Sequence, residues 1–159
     1  MTIAASLRSC IPTFVVAIAS LRAQQSPPPP DQDPFVGTWR ANAAESKPRL
    51  DKKQASYVRV IAREGDELLF SSTGGPSKAT ARDFRLRCDG KFYQLPTGPV
   101  LKCIYIAPTR VDGETRDPNG ELMYWTREVS SDGTRMTISD FKDRRRTKTR
   151  SVMVLDRVK

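Results

Sequence analysis

With 27 basic against 18 acidic side chains in 159 residues, the chain carries a net charge of +9, and it contains no histidine. Lack of imidazole removes the commonest general base, the Ser-His and Cys-His dyads and every zinc pattern that uses histidine. Paired carboxylates remain as a route to hydrolysis, yet acids such as Asp83, Glu128 and Asp140 are scattered, with no two identifiable as acid and base. The expectation is a protein with no catalytic residue, no metal site and no cofactor.

The chain opens on residues that read as an address. Arg8 supplies a positive start, "IPTFVVAIA" (11–19) is short, apolar and uncharged, and small residues follow at Ala17 and Ala19 or, more loosely, Leu21 and Ala23. That layout predicts a secretory signal peptide over 1–23. The run is well short of the about 20 apolar residues a spanning helix needs, so the chain is not expected to cross a membrane. Cys10 lies ahead of the apolar run and would be discarded with the leader. Next comes "QQSPPPPDQDP" (24–34), whose consecutive prolines favour an extended, solvated linker. The folded unit is then 35–159, a size suited to one domain with one core.

"DPFVGTWRANAAESK" (33–47) begins the folded unit, and "ANAAESKPRLDKK" (41–53) is the only stretch with helical character, a short excursion that Pro48 stops. From residue 54 the apolar residues recur with period two. Val58 and Val60 alternate with Arg59 and Arg63, and Phe84, Leu86 and Cys88 alternate with Arg85 and Arg87. The runs 68–74, 101–107, 121–129, 135–141 and 151–158 are rich in branched and aromatic residues. Alternation of this kind predicts strands with one buried and one wet face. Asp89-Gly90, Asp112-Gly113 and Asp132-Gly133 have the composition of two-residue hairpin turns, and "DPNG" (117–120) that of a type I turn. The pattern predicts an all-β fold, an antiparallel up-and-down barrel of about 8–10 short strands that hides its edges by closing on itself.

Two cysteines remain beyond the leader, Cys88 and Cys103. In an exported domain they are most simply a disulfide, worth roughly 3 kcal/mol by loop closure. The rival is two buried free thiols, since spacing does not fix the distance between their Cα atoms. Charge is concentrated in "KDRRRTKTR" (142–150), where Lys142, Arg144, Arg145, Arg146, Lys148 and Arg150 face one acid. Such a cluster is either a solvated hairpin or a patch for an anionic surface. Export, and the lack of interleaved aromatics, argue against nucleic acid.

A Gly-x-Trp after an aromatic residue at the first strand, ahead of such a meander, resembles the lipocalin-like (calycin) group. "FVGTWRANAAESK" is similar to the opening segment of small exported lipocalin-like bacterial proteins, and "REVSSDGTRMTIS" (127–139) to their penultimate hairpin. The resemblance covers 35–159. It implies that Gly37 and Trp39 are structural, sealing the barrel base with an indole that has one N–H to satisfy. It further implies that a basic residue of the last strand covers Trp39, a part given to Arg157, with Arg150 less favoured.

The implied function is an exported, periplasmic or secreted, non-catalytic barrel binding a small hydrophobic or amphipathic ligand. Tyr57, Phe70, Phe84, Tyr105, Tyr124 and Trp125 are the candidate pocket residues, although for any single one ordinary core packing is the commoner role. Period two leaves open which face of 121–129 is inward, because Tyr124 and Trp125 point to opposite sides. A barrel of about eight strands sits near the limit at which side chains fill the interior. The alternative is an envelope interaction module that docks a protein partner or an anionic lipid surface through 142–150.

Overall fold

The computed structural model describes residues 27–74 and 83–159. The expected leader at 1–23 lies outside them. Ten antiparallel strands form one sheet: β1 (Gly37–Ala41), β2 (Val58–Glu64), β3 (Glu67–Thr73), β4 (Asp83–Leu86), β5 (Asp89–Gln94), β6 (Val100–Ala107), β7 (Arg110–Arg116), β8 (Leu122–Val129), β9 (Arg135–Phe141) and β10 (Thr149–Arg157). Their order is β4-β3-β2-β1-β10-β9-β8-β7-β6-β5, so the first and last strands pair and the barrel is closed except between β4 and β5. A single helical turn, α1 (Lys52–Ala55), lies in the excursion between β1 and β2. Asp51 caps it by accepting from Gln54 N, while the Gln54 side chain returns to Asp51 N, a reciprocal pair that satisfies two otherwise open donors.

Because the strands alternate in direction, the connections fall at two ends. The base collects the turns at 65–66, 108–109 and 130–134 and the C-terminus. The mouth collects the α1 excursion and the turns at 95–99, 117–121 and 142–148. Cys88, in the two-residue link between β4 and β5, is disulfide-bonded to Cys103 in the middle of β6, with 4.5 Å between the Cα atoms. The bridge spans the one gap in the ladder.

Several turns and faces differ from the sequence expectation. Asp132-Gly133 and "DPNG" are turns, with Asp132 and Asp117 accepting from the backbone amides that follow them. Asp112-Gly113 is instead the middle of β7. Gly113 faces Trp125 across the ladder, and a Cβ there would overlap the indole ring. Asp112 points outward and accepts from Thr126 Oγ1 at 2.8 Å. The β6–β7 turn is Pro108-Thr109. Asp89-Gly90 opens β5, which pairs with β6 and not with β4.

β2 is inverted relative to its hydrophobic pattern. Trp39 pairs with Arg59 and Gly37 with Ile61, which turns Arg59, Ile61 and Arg63 inward. Val60 is left 43% exposed on the outer wall while Arg59 is 5% exposed. Since a one-residue slip would flip the strand, burial of Tyr57 and Ile61 and the Arg63–Asp33 pair fix this register.

Candidate functional site

The base is a plug built by the chain before β1. After the extended Pro29, Pro30–Gln32 makes one 3-10 turn and Asp33 is buried. Asp33 Oδ2 accepts from Arg63 Nη1 and from the Tyr105 hydroxyl, both at 2.7 Å, and Oδ1 accepts from Phe35 N. Both side chains of the Asp33–Arg63 pair are almost wholly buried, a geometry in which extra hydrogen bonds are needed to offset desolvation. Burial first, and then the Asp33 charge and hydrogen bond, hold the Tyr105 phenol well above its ordinary range. Tyr105 therefore belongs to the plug.

Trp39 is fully buried and donates Nε1–H to Phe35 O at 2.9 Å. The Arg157 guanidinium lies 4.2 Å from its ring centroid and donates to the carbonyls of Pro34, Val36 and Gly133. Gly37 has φ +142°, and a Cβ on it would collide with Arg157 Nη1. One cation thus covers the indole and ties both chain ends and the β8–β9 turn together. Arg150, at the start of β10 near the mouth, is exposed and remote from this cluster.

Above the plug the interior is packed by Ile61, Leu68, Phe70, Leu86, Cys103, Met136 and Leu155. Nearer the mouth a cavity of about 220 Å³ opens beneath the α1 excursion. Lys47, Pro48, Leu50 and Gln54 form its lid, and Tyr57, Arg59, Arg127, Ile138, Asp140 and Met153 form its walls. Side chains fill the lower interior, and the cavity lies above them.

Two guanidinium groups occupy that part. Arg59 lies 5.3 Å from the Tyr57 ring, 5.6 Å from Phe70 and 5.9 Å from Phe84, and its Nε donates to Ser72 Oγ at 3.1 Å. Arg127 lies 4.5 Å from Trp125 and 5.1 Å from Phe70, so the two cations share the Phe70 ring. Among the described residues neither forms an ion pair, and Arg127 Nε is enclosed without a hydrogen-bond partner. Burial lowers the proton affinity of both, and for Arg127 the like charge of Arg59 lowers it further, against smaller opposing effects of Tyr57 and Asp140. Asp140 faces the cavity but accepts a 2.6 Å hydrogen bond from Ser151 Oγ. Aromatic faces stabilise a cation without neutralising it. The arrangement places two cations without an ion pair, among the described residues, in the wall of a cavity that Leu50, Ile138 and Met153 share with Lys47 and Asp140.

Of the six aromatic candidates, the structure brings Tyr57, Phe70, Phe84 and Trp125 to this region, with Phe70 and Phe84 stacked at 4.6 Å. Trp125 Nε1 donates to Thr115 Oγ1. Tyr124 is a correction. The β7–β8 register turns Trp125 inward opposite Gly113, so Tyr124 faces outward beside Arg144 and Arg146. Arg59 and Arg127 were not candidates, because an arginine alternating with valine or flanked by polar residues reads as a wet face. The signal available was that Val58, Val60 and Ala62 cannot share the interior with Tyr57 and Ile61.

The 142–150 cluster is the β9–β10 turn, with Asp143 accepting from the backbone amides of Thr147 and Lys148. Lys142, Arg144, Arg145, Lys148 and Arg150 are exposed. Arg146 is not part of the free patch. Its backbone has φ +58°, and its guanidinium folds onto β7, where Nη2 donates to Gly113 O and Nε lies 3.5 Å from Asp112. A larger depression of about 440 Å³ lies on the outer wall of β2–β4, among Val60, Ala62 and Leu69. Its charged rim, Asp83 and Arg85, is exposed.

No protein-family model and no curated protein sequence matches the chain. Solved structures do share the fold. A Schistosoma mansoni fatty acid binding protein in complex with arachidonic acid aligns at 13% identity and TM-score 0.55, over 80% of this chain and 98% of its own. A fatty acid transporter, REP1-NXSQ, aligns at 12% and 0.53, over 79% and 96%. A Drosophila melanogaster brain fatty-acid-binding protein aligns at 10% and 0.51, over 77% and 98%. At these identities the likeness is one of fold alone, a nearly closed ten-stranded antiparallel barrel, and it is coarser than the expected resemblance to small bacterial lipocalin-like proteins.

Proposed function

We propose that this barrel is a non-catalytic binding protein for a small amphipathic molecule, with an apolar body and an anionic head held by Arg59 and Arg127. The observation that carries the reading is the pair of interior guanidiniums, caged by aromatic rings and without a carboxylate partner. A carboxylate or phosphate presents the planar oxygen pair that a guanidinium fork binds best. It would also supply the neutralising charge that Phe70 and Trp125 do not. Fold neighbours that bind or transport fatty acids give independent support. The cavity is smaller than the roughly 300–1,000 Å³ common for ligand pockets, so the ligand has a short chain or one that projects past Leu50. Residues 1–23 and the Cys88–Cys103 bond support action outside the cytosol, in a periplasmic or secreted setting.

The test is calorimetric titration with laurate and with dodecanol, its neutral counterpart. Laurate binds more tightly, and Arg59→Met or Arg127→Met weakens it by about 10- to 100-fold, the worth of a hydrogen bond to a charged group. Dodecanol is unaffected by either change. Equal affinity for acid and alcohol, or no binding of either, refutes the reading.

A further inference from the structure

The charged turns are not distributed evenly between the two ends of the barrel. At the mouth, Arg144, Arg145, Lys148 and Arg150 of the β9–β10 turn are exposed next to Lys47, Arg49 and Lys52 of the lid. The two segments are joined through β10, since Lys47 bridges to Val152. The basic arc therefore borders the side on which the cavity opens, between the lid and β9–β10. Two of the acids at this end are already committed within their own turns: Asp51 caps α1 and Asp143 closes the 142–148 turn. Asp117 and Glu121 lie in the neighbouring β7–β8 turn, and exposed Asp83 stands at the mouth end of β4. At the base, exposed Glu64, Asp66 and Asp89 pair with exposed Arg85, Arg87 and Lys91, so acids and bases nearly balance there. The excess of positive charge gathers at the opening of the barrel.

We infer that the mouth docks on an anionic lipid bilayer, with the lid and the β9–β10 turn against the head groups and the charge-balanced base turned away. Head-group phosphates would attract the basic arc, while the ion-paired base offers them no comparable excess of positive charge, so charge favours one pose. Leu122, a leucine 43% exposed at the mouth end of β8, gives the same rim an apolar contact. The pose places the cavity opening at the membrane surface. The inference goes beyond the ligand reading and does not require it: docking is measured without ligand, and ligand titration without membrane.

The experiment mixes the full chain with vesicles of phosphatidylcholine alone or with phosphatidylglycerol at about 3:1. Partition is followed by sedimentation, and the footprint by hydrogen exchange. Binding is expected only with phosphatidylglycerol, falling steeply between roughly 50 and 500 mM salt, with protection at 47–57 and 142–150. The triple change Arg144→Gln, Arg145→Gln, Lys148→Gln weakens partition roughly a hundredfold with an unchanged melting temperature. Glu64→Gln with Asp66→Asn raises net charge at the base and shifts partition less than about twofold, whereas unoriented attraction to net charge would tighten it. No binding to anionic vesicles at low salt overturns the inference. So does protection confined to residues 1–26 or the base turns, or a base variant that moves partition as far as the mouth variant does.

Discussion

Arg127 is held by the faces of two aromatic rings and not by an acid. Taking a guanidinium out of water costs several kcal/mol, against which desolvated cation–π contacts return about 2 kcal/mol each. Arg59, sharing Phe70, adds like-charge repulsion. The unliganded protein is therefore strained by charge at the point where a ligand head would bind. Arg127→Met keeps the length and apolar stem of the side chain and removes the charge. Ligand-free protein carrying it should be more stable by about 1–2 kcal/mol, read from urea unfolding midpoints. A loss of similar size would mean that the guanidinium is a structural strut and that nothing is gained by neutralising it.

At the level of turns and strands, side-chain chemistry decides where the chain reverses. Asp132 accepts from Ser130 Oγ, Thr134 N and Thr134 Oγ1. The Ser130 hydrogen bond above all, then those from Thr134, stabilise its charged form and pull its pKa from 3.8 down to about 2. A carboxylate whose folded pKa is depressed favours folding above its unfolded value, and that contribution is lost as pH falls from 3.8 toward 2. A carbon-detected NMR titration should find Asp132 still ionised at pH 3, and Ser130→Ala should return its midpoint toward the ordinary value. Asp112, also followed by glycine, shows why the dipeptide alone misleads. Its glycine answers to the Trp125 ring twelve residues on, a contact that local sequence does not express. β5 and β7 escaped detection for related reasons: β5 is largely exposed, and "RVDGETR" carries one branched apolar residue. The meander, its closure and the Trp39 seal were legible because period two and Gly-x-Trp are local signals. The cavity was not, because its two arginines stand where a polar face is the default reading, and only the pairing of Trp39 with Arg59 turns that face inward.

Across the whole molecule, the ladder is continuous from β4 round to β5 and fails only where those two would meet. β4 has four residues and one partner, while β5 is interrupted by a register shift between Asp89 and Phe92. What stands across the opening is covalent. Cys88 anchors the link after β4 to Cys103, whose side chain is fully buried among the core residues of β6. Phe84, on β4, stacks on Phe70 and forms part of the aromatic cage around Arg59. The bond therefore constrains the strand that carries part of this cage as well as the unfolded chain. The double change Cys88→Ser, Cys103→Ser should cost about 3 kcal/mol for a closed loop of this length. Hydrogen exchange should rise first in β4 and in the β4–β5 link, while the β9–β10 ladder keeps its protection. If exchange rose evenly around the barrel, the bond would be acting on the unfolded state alone. If β4 stayed as protected as β10, the gap would be held by packing and the disulfide would be incidental to closure.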